Sequence, residues 1–105
     1  MRKYREIDEA RKLLELPDRA TMGEIKSNYR GLLRKWHPDR CGGQAEQCAE
    51  MTRRIVAAYE TVMTYCRHYR YSFTEEEVSR YGPDDDWWMK RFGNDPLWGD
   101  LKKRK

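Results

Sequence analysis

The sequence predicts an all-α fold. Apolar residues recur at steps of three and four along three separate stretches, the period of a helix with one buried face. Short punctuation built on Pro17, Pro38 and the Gly42-Gly43 pair divides these stretches, with no internal repeat and no low-complexity linker. At 105 residues the chain has the length of one small domain, with a single modest core and little room for an enclosed pocket.

The first helix is expected over residues 6–16. Ile7, Ala10, Leu13 and Leu14 share one face, and Pro17 ends the helix and opens a turn. The second helix carries a clearer start signal. Thr21-Met22-Gly23-Glu24 has the form of a capping box, in which the Thr hydroxyl accepts an orphan amide and the Glu side chain reaches back. Met22, Ile25, Tyr29, Leu32, Leu33 and Trp36 then fall on one stripe, and Pro38 stops the helix by forcing its predecessor away from helical geometry. Gly31 is out of place in a helix interior, where it costs about 1 kcal/mol against Ala. After the Cys41-Gly42-Gly43 loop, a third helix is expected over residues 45–69, its inner face built from Cys48, Thr52, Ile55, Val56, Tyr59, Val62, Met63 and Cys66. The connection is short, so the second and third helices are expected to pack as an antiparallel hairpin.

Beyond residue 70 the pattern is weaker. Ser72 or Thr74 is placed to cap a short helix through Glu75-Glu76-Glu77, whose charges suit a helix N-terminus. Pro83 and Asp84-Asp85-Asp86 signal another N-terminus, with Trp87, Trp88 and Phe92 on the helix and Gly93 as its stop. A turn at Asn94-Asp95-Pro96 and a frayed basic end, Lys102-Lys103-Arg104-Lys105, complete the chain. The expected division is residues 1–70 and an extension over 71–105. Trp87, Trp88, Phe92 and Trp98 are expected to pack at least partly on the first unit, the alternative being an exposed aromatic patch for a client or partner.

Composition narrows the function classes. The chain is 38% charged, and its mean hydropathy is -1.14. No apolar run approaches the roughly 20 residues needed to span a bilayer. The opening MRKYREIDEA is charged and does not have the form of a secretory signal. Four Trp and seven Tyr argue against disorder. Cys41, Cys48 and Cys66 are an odd number without tight spacing, so reduced thiols and a cytoplasmic setting are expected, with Cys48 and Cys66 as small buried hydrophobes. His37, Cys41 and Cys48 lie close in sequence, but H-x3-C-x6-C matches no common zinc pattern, so no metal or cofactor is expected. The net charge of +4 permits nucleic-acid binding without requiring it.

The functional signal lies at His37-Pro38-Asp39, directly after a basic amphipathic helix. Over residues 6–66 the sequence resembles the J-domain family, the DnaJ-type co-chaperones. IKSNYRGLLRKWHPDR (residues 25–40) is similar to that family's second helix and HPD loop. IVAAYETVM (residues 55–63) is similar to its third helix, and Leu13-Leu14-Glu15-Leu16 followed by Pro17 to the end of its first. The tripeptide alone is weak evidence. Preceded by I-K-x-x-Y-R-x-L-x-x-K-W and followed by Ala58-Tyr59, it is highly specific.

The resemblance implies a J-domain with no catalytic site of its own. Such a domain binds a DnaK-type chaperone in its ATP state and stimulates that partner's ATP hydrolysis. Lys26, Arg30 and Lys35 then present positive charge to an acidic surface, His37, Pro38 and Asp39 engage the partner near its interdomain linker, and Arg40 continues the contact. Geometry adds Arg34, because Lys26, Arg30 and Arg34 at i, i+4 and i+8 form one row along the helix. The physical logic agrees with this assignment. Pro38 rigidifies the loop and reduces the entropy lost on docking. A carboxylate such as Asp39 can pair bidentately with an Arg.

The sequence also departs from the family pattern. Gly31 stands where a second basic residue is common, Cys41 where Asn is frequent, and Thr52 where Phe is frequent, although Met51 is adjacent. The loop before the third helix looks one residue longer. The basic fourth-helix motif, a Gly/Phe-rich linker, a cysteine-rich zinc region and a client-binding β-domain are not recognisable.

The alternative function is a small basic helical nucleic-acid-binding protein with a helix-turn-helix-like pair, for which Ser27 and Asn28 are the only candidate base readers. Asp39 speaks against it, since its charge repels phosphate. An enzyme reading has no nucleophile setting, phosphate cradle or second catalytic group behind it.

Overall fold

The computed structural model describes residues 1–92, except the side chains of Trp88, Arg91 and Phe92. Among the described residues it contains five α-helices and no strand. They are α1 (Arg2–Leu13), α2 (Met22–Lys35), α3 (Ala45–His68), α4 (Glu75–Tyr81) and α5 (Asp85–Phe92). A single 3-10 turn, Pro38–Arg40, lies between α2 and α3. The chain divides into two compact units, Met1–Tyr69 and Arg70–Lys105.

In the first unit α1 lies against α3, as does α2. The direction of the α2–α3 pair follows from two contacts. Tyr29 stacks on Tyr59, and Trp36, seven residues further along α2, meets Thr52, seven residues earlier on α3. One helix advances as the other retreats, so the two form the expected antiparallel hairpin. Ala10, Leu14, Leu16, Ile25, Leu32, Ile55, Ala58 and Val62 make the core, with Leu14 and Ile55 fully enclosed. Burying side chains of that size contributes about 1.5–3 kcal/mol each. Leu13, Tyr29, Leu33, Trp36, Met51, Tyr59 and Cys66 flank the core.

The capping box forms as expected. Thr21 Oγ1 accepts from the Glu24 amide at 3.1 Å, and Glu24 Oε1 accepts from the Thr21 amide at 3.2 Å. Gly31 has open space where a Cβ would sit, so no steric demand explains it.

Two expectations about the helices of this unit need correction. Helix α1 runs over Arg2–Leu13 rather than 6–16. Nothing before Glu6 breaks a helix, and Arg2 Nε pairs with Glu6 Oε1 at 3.2 Å across one turn. That turn carries no apolar stripe, so periodicity is silent about it. At the other end the helix stops before Pro17 through a Schellman motif. The Leu16 amide donates to the Arg11 carbonyl and the Glu15 amide to the Lys12 carbonyl, with Glu15 left-handed at φ 56°. Leu16 is thereby turned back into the core. On α3, Val56 was expected to face inward but is 40% exposed. The buried row is Cys48, Ile55, Ala58 and Val62, which places Val56 on its shoulder.

The second unit matches its start signals. Thr74, rather than Ser72, caps α4, its Oγ1 accepting from the Glu77 amide at 3.4 Å. Asp84 Oδ1 accepts from the Trp87 amide at 2.8 Å at the start of α5. Trp87 is exposed. The Gly93 stop, the turn at 94–96, Trp98, the basic end at 102–105 and the side chains of Trp88 and Phe92 lie outside what the structure describes, and with them the expected packing of the aromatic residues.

Candidate functional site

Helix α2 has two faces of different chemistry. Its stripe from Ile25 to Trp36 turns into the core, which leaves Lys26, Arg30, Arg34 and Lys35 exposed on the other side. No carboxylate among the described residues pairs with any of the four or with Arg40, whereas several basic residues on the other helices of this unit, though not Lys3, Arg5 or Arg54, do find acids. Arg11 and Lys12 hold Asp8, Arg53 holds Glu50, and Arg67 approaches Glu60. The row predicted at i, i+4 and i+8 is therefore a surface of unneutralised charge. The Lys35 ammonium stands 5.8 Å from the centre of the Trp36 ring.

Local chemistry dictates where α2 ends. The residue before a proline is pushed into extended geometry, and His37 adopts φ -62°, ψ 133°. The helix ends one residue earlier, at its C-cap Trp36. Pro38 then opens the 3-10 turn, in which its fixed φ suits the first position and its missing N–H leaves nothing unsatisfied. The sequence reading placed His37-Pro38-Asp39 on a loop; the structure makes it this ordered turn. The Arg40 amide donates to the His37 carbonyl at 2.9 Å, and the Cys41 amide to the Pro38 carbonyl at 3.2 Å.

His37 caps its own turn. Nδ1 accepts from the Asp39 amide at 3.2 Å, so the neutral ring carries its proton on Nε2. The Asp39 carboxylate lies 3.7 Å from the same Nδ1. Both side chains face water, with exposures of 58% for His37 and 89% for Asp39. Pro38 is half-buried between them. An imidazole N–H, a rigid kink and a carboxylate are thus presented together, with none of them committed to the core. Asp39 makes no pair with Arg53, which binds Glu50 through both Nε and Nη2.

Three residues that hold the turn were not assigned that role by the sequence. Thr52 Oγ1 donates to the Trp36 carbonyl at 3.0 Å, joining α3 to the base of the turn. The departure from Phe at this position therefore exchanges apolar bulk for a tether, while Met51 packs on the core beside it. Cys41 and Cys48 form a disulfide, with Cα atoms 6.4 Å apart. This overturns the expectation of three reduced thiols. The pair is seven positions apart in sequence, and the Gly42-Gly43 turn, with Gly42 at φ 58°, brings Cys41 back to the first turn of α3. The two glycines between the cysteines were the available signal. Cys48 and Cys66 do sit inward as expected; Cys66 is a free thiol, half-buried, and burial pushes its pKa up.

Asn28 also serves structure. Its Nδ2 donates to the Leu14 and Glu15 carbonyls at 3.1 and 3.0 Å, closing the end of α1. The amide that base reading would need is thereby engaged. No helix among the described residues is long and apolar enough to cross a membrane.

A hairpin ending in this turn, with an open basic face leading to it, is the arrangement of a J-domain. The DnaJ domain family model matches residues 9–71, more than half of the chain, and the chain belongs to that family. It is similar to the DnaJ protein P58IPK homolog A of Oryza sativa subsp. japonica, 35% identical over 65 residues, or 62% of this chain and 14% of the relative. It is also similar to the P58IPK homolog of Arabidopsis thaliana, 41% identical over 49 residues, 47% of this chain and 10% of that protein. Homolog B of Oryza sativa subsp. japonica is 34% identical over 65 residues, again 62% of this chain and 14% of the relative. The matched segment is thus a small part of each of these relatives. No solved structure matches the chain.

Proposed function

We propose that this protein is a co-chaperone whose J-domain docks on a DnaK-type chaperone in its ATP state and stimulates its ATP hydrolysis. The exposed His37-Pro38-Asp39 turn at the end of an unneutralised basic helix carries this reading. Lys26, Arg30, Arg34 and Lys35 steer and orient an acidic partner surface, which affects association more than final affinity. Arg40 extends the contact past the turn. Pro38 and the His37 cap hold the turn in its docking shape before contact, so little order remains to be imposed. Asp39 supplies a free carboxylate to a cation on the partner. In this reading the bond-breaking chemistry is the chaperone's.

The test is a single-turnover ATPase assay on a DnaK-type chaperone, with the protein and with its Asp39→Asn variant. The wild type is expected to accelerate hydrolysis and the variant to lose most of that effect. The variant should keep its folding stability within about 0.5 kcal/mol, as expected for an exposed site outside the core. A folded variant that stimulates like the parent would refute the reading.

A further inference from the structure

We propose that the Cys41–Cys48 disulfide is a positioning element of the His37-Pro38-Asp39 turn, and that its reduction weakens docking on the chaperone while leaving the hairpin folded. This rests on the co-chaperone reading and adds a covalent part to the same site.

The argument begins with where the bridge is attached. Cys41 is the residue that closes the 3-10 turn, its amide held by the Pro38 carbonyl. Its sulfur is bonded to Cys48, in the first turn of α3. Thr52 lies four residues further along α3 and holds the Trp36 carbonyl, at the other end of the turn. Residues four apart share a helix face. The segment 37–40 is therefore suspended between two anchors, one helical turn apart on the same face of α3. One anchor is a hydrogen bond and the other is covalent.

The segment behind the turn gives the covalent anchor its importance. Gly42 and Gly43 follow Cys41, and adjacent glycines have more backbone freedom than any other pair. Apart from the bridge, the amide hydrogen bonds of this stretch are all short-range: Asp39 to His37 Nδ1, Arg40 to His37, Cys41 to Pro38, Gln44 to Cys41 and Cys48 to Gln44. Residues 42–47 are exposed and bury nothing. A closed ring from 41 to 48 restricts that freedom before any partner arrives, which lowers the ordering cost of docking.

The pair is also chemically accessible. Of the two, Cys41 is the more exposed, half-buried where Cys48 is enclosed, so it is the side on which a thiolate attacks. A dithiol such as dithiothreitol attacks Sγ of Cys41 and releases Cys48 as thiolate. Its second thiol then resolves the mixed disulfide. Two electrons and two protons pass to the protein, which ends with two thiols, and the reagent ends as a cyclic disulfide. Cys66 is a thiol before and after.

The experiment uses the full chain in three states: oxidised, reduced with dithiothreitol, and reoxidised with diamide. A Cys41→Ser/Cys48→Ser variant is run beside them. Thiol counting first establishes each state. The readouts are the protein concentration for half-maximal stimulation of single-turnover ATP hydrolysis, the maximal stimulated rate, and hydrogen exchange. The reduced protein and the double variant should need about tenfold more protein for half-maximal stimulation, the equivalent of about 1.4 kcal/mol. Their maximal rates should stay close to the oxidised value, and reoxidation should restore the original concentration. Amides 40–44 should exchange faster on reduction, while those around Leu32 and Ile55 do not change. An unchanged half-maximal concentration on reduction overturns the proposal, as does a count of three thiols in protein purified without reductant. Faster exchange across the whole hairpin overturns it too, by making the bridge a general staple. If the oxidised protein gives no stimulation at all while Asp39→Asn behaves identically, the co-chaperone reading falls and takes this proposal with it.

Discussion

Thr52 Oγ1 donates a 3.0 Å hydrogen bond to the carbonyl of Trp36, the C-cap of α2, just before the chain turns toward His37. It ties the two helices of the hairpin together at the point where the site begins. Both residues are half-buried, so water does not fully replace the bond. Thr52→Val keeps the shape and removes the donor. The expected loss is about 1 kcal/mol of folding stability, because a partly buried acceptor is left unpaired. Urea unfolding checks this, and a midpoint equal to that of the wild type would show the tether to be inert.

The open charge row on α2 makes a kinetic prediction. Lys26→Glu with Arg30→Glu should weaken association with a DnaK-type chaperone and lower its salt dependence. Helicity should be nearly unchanged, since neither side chain touches the core. The effect belongs to close approach, because the Debye length at physiological ionic strength is about 8 Å. Association rates measured across a salt series are the test. Unchanged rate and slope would reduce the row to a solubilising surface.

Glu15 holds a left-handed backbone at the end of α1, a conformation that costs a residue with a Cβ roughly 1–2 kcal/mol. Its carbonyl, not its side chain, makes the contact to Asn28. Glu15→Gly should therefore raise stability by about 0.5–1 kcal/mol and leave chaperone stimulation unaltered. Thermal melting decides the matter: a lower melting temperature would contradict the Schellman assignment.

Asp8 makes the unit acid-sensitive in a defined direction. The Arg11 guanidinium, at 2.9 Å, holds its carboxyl below the ordinary value of 3.8, with Lys12 assisting. A carboxyl lowered in the folded state stabilises the fold fully above its unfolded value, and that contribution disappears as pH falls through the folded value. Arg11 also donates to the Leu16 carbonyl at 2.8 Å, so Asp8 steadies the residue that orients the Schellman turn. Asp8→Asn should be less stable than the wild type near neutral pH, with the gap closing as pH falls below 3.8. A gap constant across that range would disconnect Asp8 from the pH response.

The parts of the fold legible in the sequence were those specified by neighbours along the chain. Thr21 and Glu24 are three residues apart and found each other. The stripe from Ile25 to Trp36 needed only the helical period, and His37-Pro38-Asp39 announced itself by order and context. What escaped detection depends on atoms meeting through the tertiary fold. The Cys41–Cys48 bridge requires the backbone to reverse at Gly42 before the sulfurs can meet, and Thr52 acts on a residue 16 positions away. Glu15 was hidden for another reason: a left-handed cap is normally signalled by glycine, and here a side chain that suits helices stands in its place.

The stacked rings of Tyr29 and Tyr59 give the hairpin an optical gauge of its own. Their centres are 3.8 Å apart and their planes 7° from parallel, one phenol on each long helix. Two identical chromophores held that closely couple their electronic transitions, and the coupling depends steeply on separation and tilt. A slip of α2 along α3 by one helical turn, about 5.4 Å, breaks the coupling even if every helix survives intact. Far-ultraviolet dichroism cannot see such a slip, because it counts helical peptide bonds wherever they lie. The phenol bands in the near ultraviolet can, and they report on register without any label being attached.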